Sequence, residues 1–334
     1  MGLNCDEVLQ LDKMEDIGEW LRTDGHPQID VVRYESDGWD IEAILVVPPG
    51  WQRDTPLPTL TYLHGGPERR NSPTGRDLAS ARGESAALFL ASYGYAVFLP
   101  NFRGSAGYGE QFVNELQDYQ LMRKPSRDVL AGIDSLIAQG IADADRLGIY
   151  GSSYGAQLAA WVVSHTDRFK ACVLSLGRYD TLVFDRCRGT AFHALKPNRQ
   201  GDSGPFDMWL KPAVYRDLSP MHHVTCVHTP ALIVETGAER KDLQARMLFN
   251  ALQALGVNAH WVFYPDAFHN GRWSDEHKRD YMTRLLAWWE HHLKGVPLPA
   301  SFSQRTITIA TDGAKAGLTD ENNTGQNKAL EATQ

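Results

Sequence analysis

Short apolar runs alternate with helix-like segments along most of the chain. In residues 128–139, for example, the apolar side chains recur at the spacing of one helical face. Because parallel strands need crossover connections and those are usually helical, the alternation predicts an α/β fold, a mostly parallel sheet with helices on both faces. The runs that we interpret as strands of this sheet cover residues 58–64, 95–100, 147–150, 171–176, 231–236 and 260–264.

The segment before these runs predicts an antiparallel addition to the sheet. Residues 29–36 and 40–47 are strand-like, and the Asp37-Gly38 pair between them is typical of a hairpin turn. We therefore expect two antiparallel N-terminal strands at one edge. With 334 residues and 43% hydrophobic content, the chain can bury the core of one large domain, which we predict over residues 28–297. A partly helical extension (residues 1–27) would precede this domain, and a largely disordered polar tail (residues 298–334) would follow it.

Charge and composition exclude several functional classes. The formal net charge is -8, so the chain lacks the basic surface that nucleic-acid binding needs. The acidic N-terminal segment does not resemble a secretory signal, and no apolar run is long enough to span a bilayer, so we expect a cytoplasmic protein without membrane contact. The four cysteines are scattered, without the spacing of a zinc site, and we expect neither a metal nor a cofactor. The sequence leaves the oligomeric state open, a homodimer included.

The pentapeptide Gly151-Ser152-Ser153-Tyr154-Gly155 follows a predicted strand and precedes a predicted helix. A sharp turn there leaves the central hydroxyl exposed only if small residues lie two positions before and two after it. The alternative interpretation is a Gly/Ser-rich loop that merely starts a helix. In the strand-to-helix context, the pattern predicts Ser153 as a nucleophile.

A serine nucleophile needs a base, and the loop after the last predicted strand supplies His269. This residue could instead be a surface histidine in a polar loop. The acid that orients the base should follow strand 231–236, where Glu239 and Asp242 are the two candidates. We prefer Glu239, although either carboxylate could instead pair with Arg240 or Lys241 on a solvated loop.

Acyl transfer also needs donors for the oxyanion that develops on the substrate carbonyl. The backbone N–H of Tyr154 can supply one donor, and the segment around His64 and Gly65 can supply another, unless that segment is a simple Gly-Pro turn. An irregular segment at residues 186–220 is rich in Arg, Gly and Pro. We predict that it forms a lid or one wall of the substrate pocket and that its aromatic residues Trp209 and Tyr215 bind substrate.

Four segments together resemble the catalytic domain of the prolyl oligopeptidase family of serine peptidases. The resemblance implies the α/β-hydrolase fold, with Ser153 as nucleophile, His269 as base and His64 at the motif position that helps build the oxyanion hole. The segments are YLHGGPERR (62–70), NFRGSAGYGEQF (101–112), residues 128–157 and YPDAFHN (264–270).

The chain also departs from the family pattern. No stretch is long enough for the β-propeller that family members usually carry. The acid loop, ETGAERKD, is shorter than the usual HGxxDxxV, and Ala156 replaces the second glycine that commonly ends the elbow. No acidic pair for a free peptide N-terminus can be assigned, so the sequence does not support aminodipeptidase activity.

These patterns favour a serine hydrolase that cleaves an amide or ester bond of a short peptide or small molecule through an acyl-enzyme. One alternative keeps the same triad but performs condensation, cyclisation or dehydration in biosynthesis, because a fold does not determine the reaction. The other alternative is a non-catalytic binding or scaffolding protein.

Overall fold

The computed structural model describes residues 2–13, 25–73, 78, 86–117, 119–183, 207–237, 243–269 and 273–303. The strands within these segments are β1 (Gln28–Ser36), β2 (Trp39–Val47), β3 (Leu57–Leu63), β4 (Ala96–Pro100), β5 (Ala142–Ser152), β6 (Ala171–Ser175), β7 (Ala231–Thr236) and β8 (Ala259–Tyr264). The α-helices are α1 (Cys5–Lys13), α2 (Ala87–Ser92), α3 (Glu110–Asn114), α4 (Arg123–Ala138), α5 (Tyr154–Val163), α6 (Asp207–Leu210), α7 (Pro212–Asp217), α8 (Leu243–Ala254) and α9 (Asp275–Lys294). Short 3₁₀ helices cover Pro220–Cys226 and Ala300–Ser303.

The eight strands form one sheet in the order β1-β2-β4-β3-β5-β6-β7-β8. Strands β1 and β2 are an antiparallel hairpin, and β2 also pairs antiparallel with β4. All other neighbours are parallel. The predicted α/β class, the parallel sheet and the antiparallel N-terminal strands are therefore confirmed.

Both faces of the sheet are buried, which explains why its central strands read as continuous apolar runs. In β4, Phe98 belongs to the hydrophobic cluster on one face, while Val97 and Leu99 belong to the cluster on the other. Helices α4, α5 and α8 cover the first face, and α1, α2 and α9 cover the second.

Helix α9 is the main cover of the second face. Its Trp288 and Trp289 side chains are fully buried, and the indole N–H of Trp288 donates to the Cys172 carbonyl at 3.1 Å. Phe302 stacks on Trp288, so the first residues of the predicted tail are packed. Residues 304–334 of that tail lie outside the described residues. Helix α1 lies within the predicted N-terminal extension.

The parallel strands all finish at the same end of the sheet. The loops that follow the strands at this end contain every candidate residue of the triad. The loop after β3 begins at His64, β5 leads directly into Ser153, and His269 follows β8. Within the described segments, no helix combines the length and apolar character needed to cross a bilayer.

Candidate active site

Ser153 occupies a strained turn between β5 and α5. Its φ is 59° and its ψ is -118°, a combination that an L-residue adopts only where its surroundings impose it. A Cβ atom on Gly155 would overlap the Leu63 carbonyl oxygen, and one on Gly151 would overlap the Gly155 carbonyl group. Glycine at both positions therefore lets β3 and the first turn of α5 close around the serine.

The structure brings His269 to Ser153. The Nε2 atom of the imidazole lies 3.0 Å from the serine Oγ, although 116 positions separate the two residues. An imidazole at this distance can take the hydroxyl proton when the oxygen attacks a carbonyl carbon. The Ser153 N–H donates to the Ser175 carbonyl at 2.9 Å, which ties the turn to the end of β6.

The two acid candidates, Glu239 and Asp242, lie outside the described residues. The start of their loop is described, because the Gly237 N–H donates to the Tyr264 carbonyl at 2.9 Å. Strand β8 ends at Tyr264 and His269 follows five positions later, so the acid loop and the histidine loop leave the sheet side by side.

Two backbone segments lie beside Ser153. Tyr154 is the first residue of α5, so its N–H has no intrahelical acceptor and points out of the positive end of the helix. Gly65 lies against the nucleophile from the side of β3, since a Cβ atom built on it would be 3.3 Å from the Ser153 Cβ. The backbone around Gly65 and that of Tyr154 therefore flank the serine.

The His64 side chain faces away from the substrate side and into the protein. It is 4% exposed, and its ring stacks on Phe102 with centroids 4.3 Å apart. Its Nδ1 lies 2.9 Å from the Gly65 carbonyl oxygen and its Nε2 lies 2.8 Å from the Ser105 Oγ. Burial lowers the pKa of His64 from 6.5 to about 4, so the ring is neutral at physiological pH. Both ring nitrogens of His64 thus lie against protein groups within the loop after β3 and the loop after β4.

The segment of residues 101–109, which contains the pattern RGSxGYG, packs against the loop after β3 and is held by a buried ion pair. Arg103 is 2% exposed, and its Nε donates to both carboxylate oxygens of the fully buried Asp128 at 3.0 Å. The Arg103 Nη2 donates to Asp128 at 2.7 Å and to Asp37 in the hairpin turn at 2.9 Å. The Ser36 hydroxyl adds a hydrogen bond to Asp128 at 2.6 Å. One arginine therefore joins this segment to α4 and to the β1–β2 turn.

Further hydrogen bonds join the segment to the loop after β3. The Asn71 N–H donates to the Asn101 Oδ1 at 2.7 Å, and the Asn101 Nδ2 donates back to the Asn71 carbonyl at 3.1 Å. The Ala106 N–H donates to the Arg69 carbonyl at 3.1 Å. Reasoning from the sequence used RGSxGYG only as a family mark and missed Ser105 as a neighbour of the site, although the motif itself was the signal.

The two aromatic residues predicted to bind substrate differ in their exposure. The Tyr215 side chain is fully buried and its ring meets the edge of Tyr119, with centroids 6.4 Å apart, so a substrate could reach it only after a rearrangement. Trp209 is 53% exposed. Most of the predicted lid, residues 186–206, lies outside the described residues.

Comparison with known proteins extends these observations. The model of the prolyl oligopeptidase family (peptidase S9) matches residues 82–296. The chain is 32% identical over 274 residues to the uncharacterized peptidase YuxL of Bacillus subtilis, which covers 77% of this chain and 38% of that protein. It is 28% identical over 242 residues to dipeptidyl-peptidase 5 of Porphyromonas gingivalis, with coverage of 70% and 33%. The chain thus spans about two fifths or less of the length of these curated relatives.

Solved structures share the fold. The acylaminoacyl peptidase of Pyrococcus horikoshii superposes with a TM-score of 0.70 at 22% identity, over 86% of this chain and 45% of that one. The puromycin-hydrolyzing peptidase of Mycobacterium tuberculosis gives a TM-score of 0.68 at 22% identity, over 84% and 41%. The fold is therefore that of α/β-hydrolase peptidases. Since the family match covers well over half of the sequence, the chain belongs to the prolyl oligopeptidase family.

Proposed function

We propose that this chain is a serine hydrolase that cleaves an amide or ester bond of a short peptide or small molecule through an acyl-enzyme. The observation that carries the proposal is the 3.0 Å approach of the His269 Nε2 to the Ser153 Oγ on a strained elbow. Family membership favours hydrolysis over the biosynthetic and scaffolding alternatives.

The geometry supports a two-step reaction. In the first step the Ser153 Oγ attacks the substrate carbonyl carbon while His269 takes the hydroxyl proton. His269 then gives this proton to the leaving amine or alcohol as the carbonyl–leaving group bond breaks. In the second step water attacks the acyl carbon while His269 takes its proton, the bond from that carbon to the Ser153 Oγ breaks, and His269 returns the proton to Oγ as the acid leaves. Backbone N–H groups beside Ser153 stabilise the oxyanion in both steps.

Glu239 is our proposed third member of the triad, and Asp242 is the alternative. The support is positional, since their loop starts beside the end of β8. A carboxylate there would accept from the imidazole Nδ1–H and hold the tautomer that leaves Nε2 free to act as the base.

Peptides are the substrate class that we favour. The matched relatives include a dipeptidyl-peptidase and acylamino-acid-releasing enzymes. We extend only the bond type to this chain, because it spans a minor part of their length. A cytoplasmic location belongs to the same proposal.

A fluorophosphonate probe tests the nucleophile. We expect stoichiometric labelling of the wild type, loss of labelling in Ser153→Ala, and retained labelling in Ser152→Ala, which removes the adjacent hydroxyl at the end of β5. If well-folded wild type resists the probe, that result would support the scaffolding alternative. If labelling survives in Ser153→Ala, Ser153 is not the residue that reacts with the probe. A panel of aminoacyl and acylaminoacyl p-nitroanilides against p-nitrophenyl esters then separates peptidase from esterase.

A further inference from the structure

The loop that carries His269 is short and begins at a fixed residue. Strand β8 ends at Tyr264, and only residues 265–268 lie between this strand and the histidine. Tyr264 is fully buried, and its hydroxyl donates to the Asp280 carboxylate of α9 at 2.7 Å. The position of the imidazole therefore depends on the contacts that hold the four residues of this histidine loop.

Trp273 contacts the residue directly before the histidine. Its indole N–H donates to the Phe268 carbonyl at 3.0 Å. One planar peptide group contains this carbonyl together with the N–H and the Cα atom of His269. The bond therefore restrains the atom from which the imidazole side chain starts.

Trp273 is itself held by its surroundings. The side chain is 6% exposed, and its ring packs against those of Tyr264 and Tyr281, with centroids 5.0 and 5.6 Å apart. The residue directly precedes Ser274, whose hydroxyl caps α9 by accepting the His277 N–H at 3.2 Å. Because the ring is closely packed and its backbone adjoins the helix cap, the indole N–H is a fixed donor for the loop.

A second contact joins the histidine loop to the same helix. The Nε2 atom of His277 lies 3.2 Å from the Asp266 Oδ1. His277 is buried, and its ring meets that of Tyr264 at an angle of 70°, with centroids 5.1 Å apart. The loop is thus held at its second and fourth residues by side chains at and just before the start of α9.

We propose that Trp273 and His277 are positioning residues, which hold the histidine loop so that its imidazole stays within reach of the nucleophile. This inference rests on the proposed function of Ser153. Trp273 has the larger effect, because it contacts the peptide group next to the histidine, whereas His277 contacts a residue three positions before it. A displacement of about 1 Å at a reacting group can cost about 100-fold in rate.

The matched variants are Trp273→Phe and Trp288→Phe. Both keep an aromatic ring and remove a buried indole N–H that donates to a backbone carbonyl, but the acceptor of Trp288 lies in β6 and not in the histidine loop. With the chromogenic substrate that the wild type cleaves fastest, we expect Trp273→Phe to lower kcat by roughly 10- to 100-fold with KM within about twofold. Trp288→Phe should leave both constants within about twofold.

The fluorophosphonate probe gives a measurement that needs no substrate. Reaction of the Ser153 Oγ with the probe also requires the imidazole to take the hydroxyl proton. The second-order rate constant of labelling should therefore fall in Trp273→Phe by a factor similar to that in kcat, and it should stay within about twofold of the wild type in Trp288→Phe. A purely structural role of the indole would give no such difference between the two folded variants.

Asp266→Ala tests the second contact at a partly exposed residue. We expect this change to lower kcat by about 3- to 10-fold with KM within about twofold, because one of the two anchors remains. Asp167→Ala is the control. Asp167 also lies beside a histidine ring nitrogen, the Nδ1 of His228 at 3.0 Å, but it precedes β6 at the opposite end of the sheet from the nucleophile. Its kcat should stay within about twofold of the wild type.

Equal kcat values in Trp273→Phe and Trp288→Phe would overturn the proposal, and so would a loss confined to KM. If circular dichroism shows that Trp273→Phe does not fold, Asp266→Ala decides: a fall in kcat supports the proposal and an unchanged kcat overturns it. Wild type without Ser153-dependent labelling counts against the proposed function. Turnover that is indifferent to both changes in the anchors counts against this inference alone.

Discussion

Ser153 shows how much one residue's surroundings can be foreseen from the sequence. The two glycines of the pentapeptide predicted a turn without room for side chains, and overlap at both positions explains that requirement. The sequence could not show that His64 points inwards, because a histidine beside two glycines is compatible with either direction. Its stacking on Phe102 depends on the loop after β4, which is 38 positions away.

The first prediction concerns the acid. If Glu239 orients the imidazole, Glu239→Gln should lower kcat by about 10³- to 10⁴-fold, because an amide cannot hold the same tautomer. Asp242→Asn is the matched variant and should change kcat by less than about threefold. Steady-state rates with one chromogenic substrate, together with circular dichroism of each variant, test the assignment. A large loss in Asp242→Asn alone would make Asp242 the acid.

Among the secondary-structure elements, the central strands could be predicted because both of their faces are buried, which requires a nearly continuous run of apolar residues. The Asp37-Gly38 pair likewise predicted the hairpin that the structure forms between β1 and β2. The region around Tyr215 was harder. Helix α7 has only six residues, too few for a helical period to show which side is buried, so an aromatic residue there could equally be read as pocket or core.

The second prediction concerns the loop after β4 and its anchor. Asp128→Asn removes the fully buried carboxylate of this pair and leaves the Arg103 guanidinium with the more exposed Asp37 and Glu115. Breaking a buried pair from one side costs about 3–5 kcal/mol, and we expect a loss near the lower end of that range. Asp37→Asn removes a carboxylate that is 42% exposed and shares the same arginine, and should cost less than about 1 kcal/mol. Urea unfolding of both variants measures the difference. Equal free energies of unfolding would contradict the view that Asp128 is the anchor.

For the whole molecule, the buried neutral His64 makes stability depend on pH. The unfolded chain binds a proton at this residue below about pH 6.5, whereas the folded chain binds it only near pH 4. Acidification through this window therefore favours the unfolded state, by up to about 3 kcal/mol from this one group. His292, whose pKa is lowered to about 4 chiefly by burial, acts in the same direction, with a smaller effect because it is partly exposed.

We expect the free energy of unfolding to fall as the pH is lowered from about 6.5 to 4. The slope of this free energy against pH measures the difference in bound protons between the unfolded and folded chain, and His64→Asn should reduce that difference by roughly one proton. Urea unfolding at several pH values in this range gives the slope for each protein. Ser164→Ala, which leaves His64 intact, should keep the wild-type slope. A slope that is the same with and without His64 would show that the group titrates alike in the folded and unfolded chain.

The separation of Ser153 from His269 by 116 positions has a consequence for biosynthesis. A ribosome completes the nucleophile's strand and helix well before the histidine loop emerges, and the anchoring arginine needs the hairpin near the start of the chain. A partly made molecule thus carries a serine without its proton acceptor. A hydrolase of the kind proposed would gain its reactivity only after β8 and the histidine loop that follows it have been made.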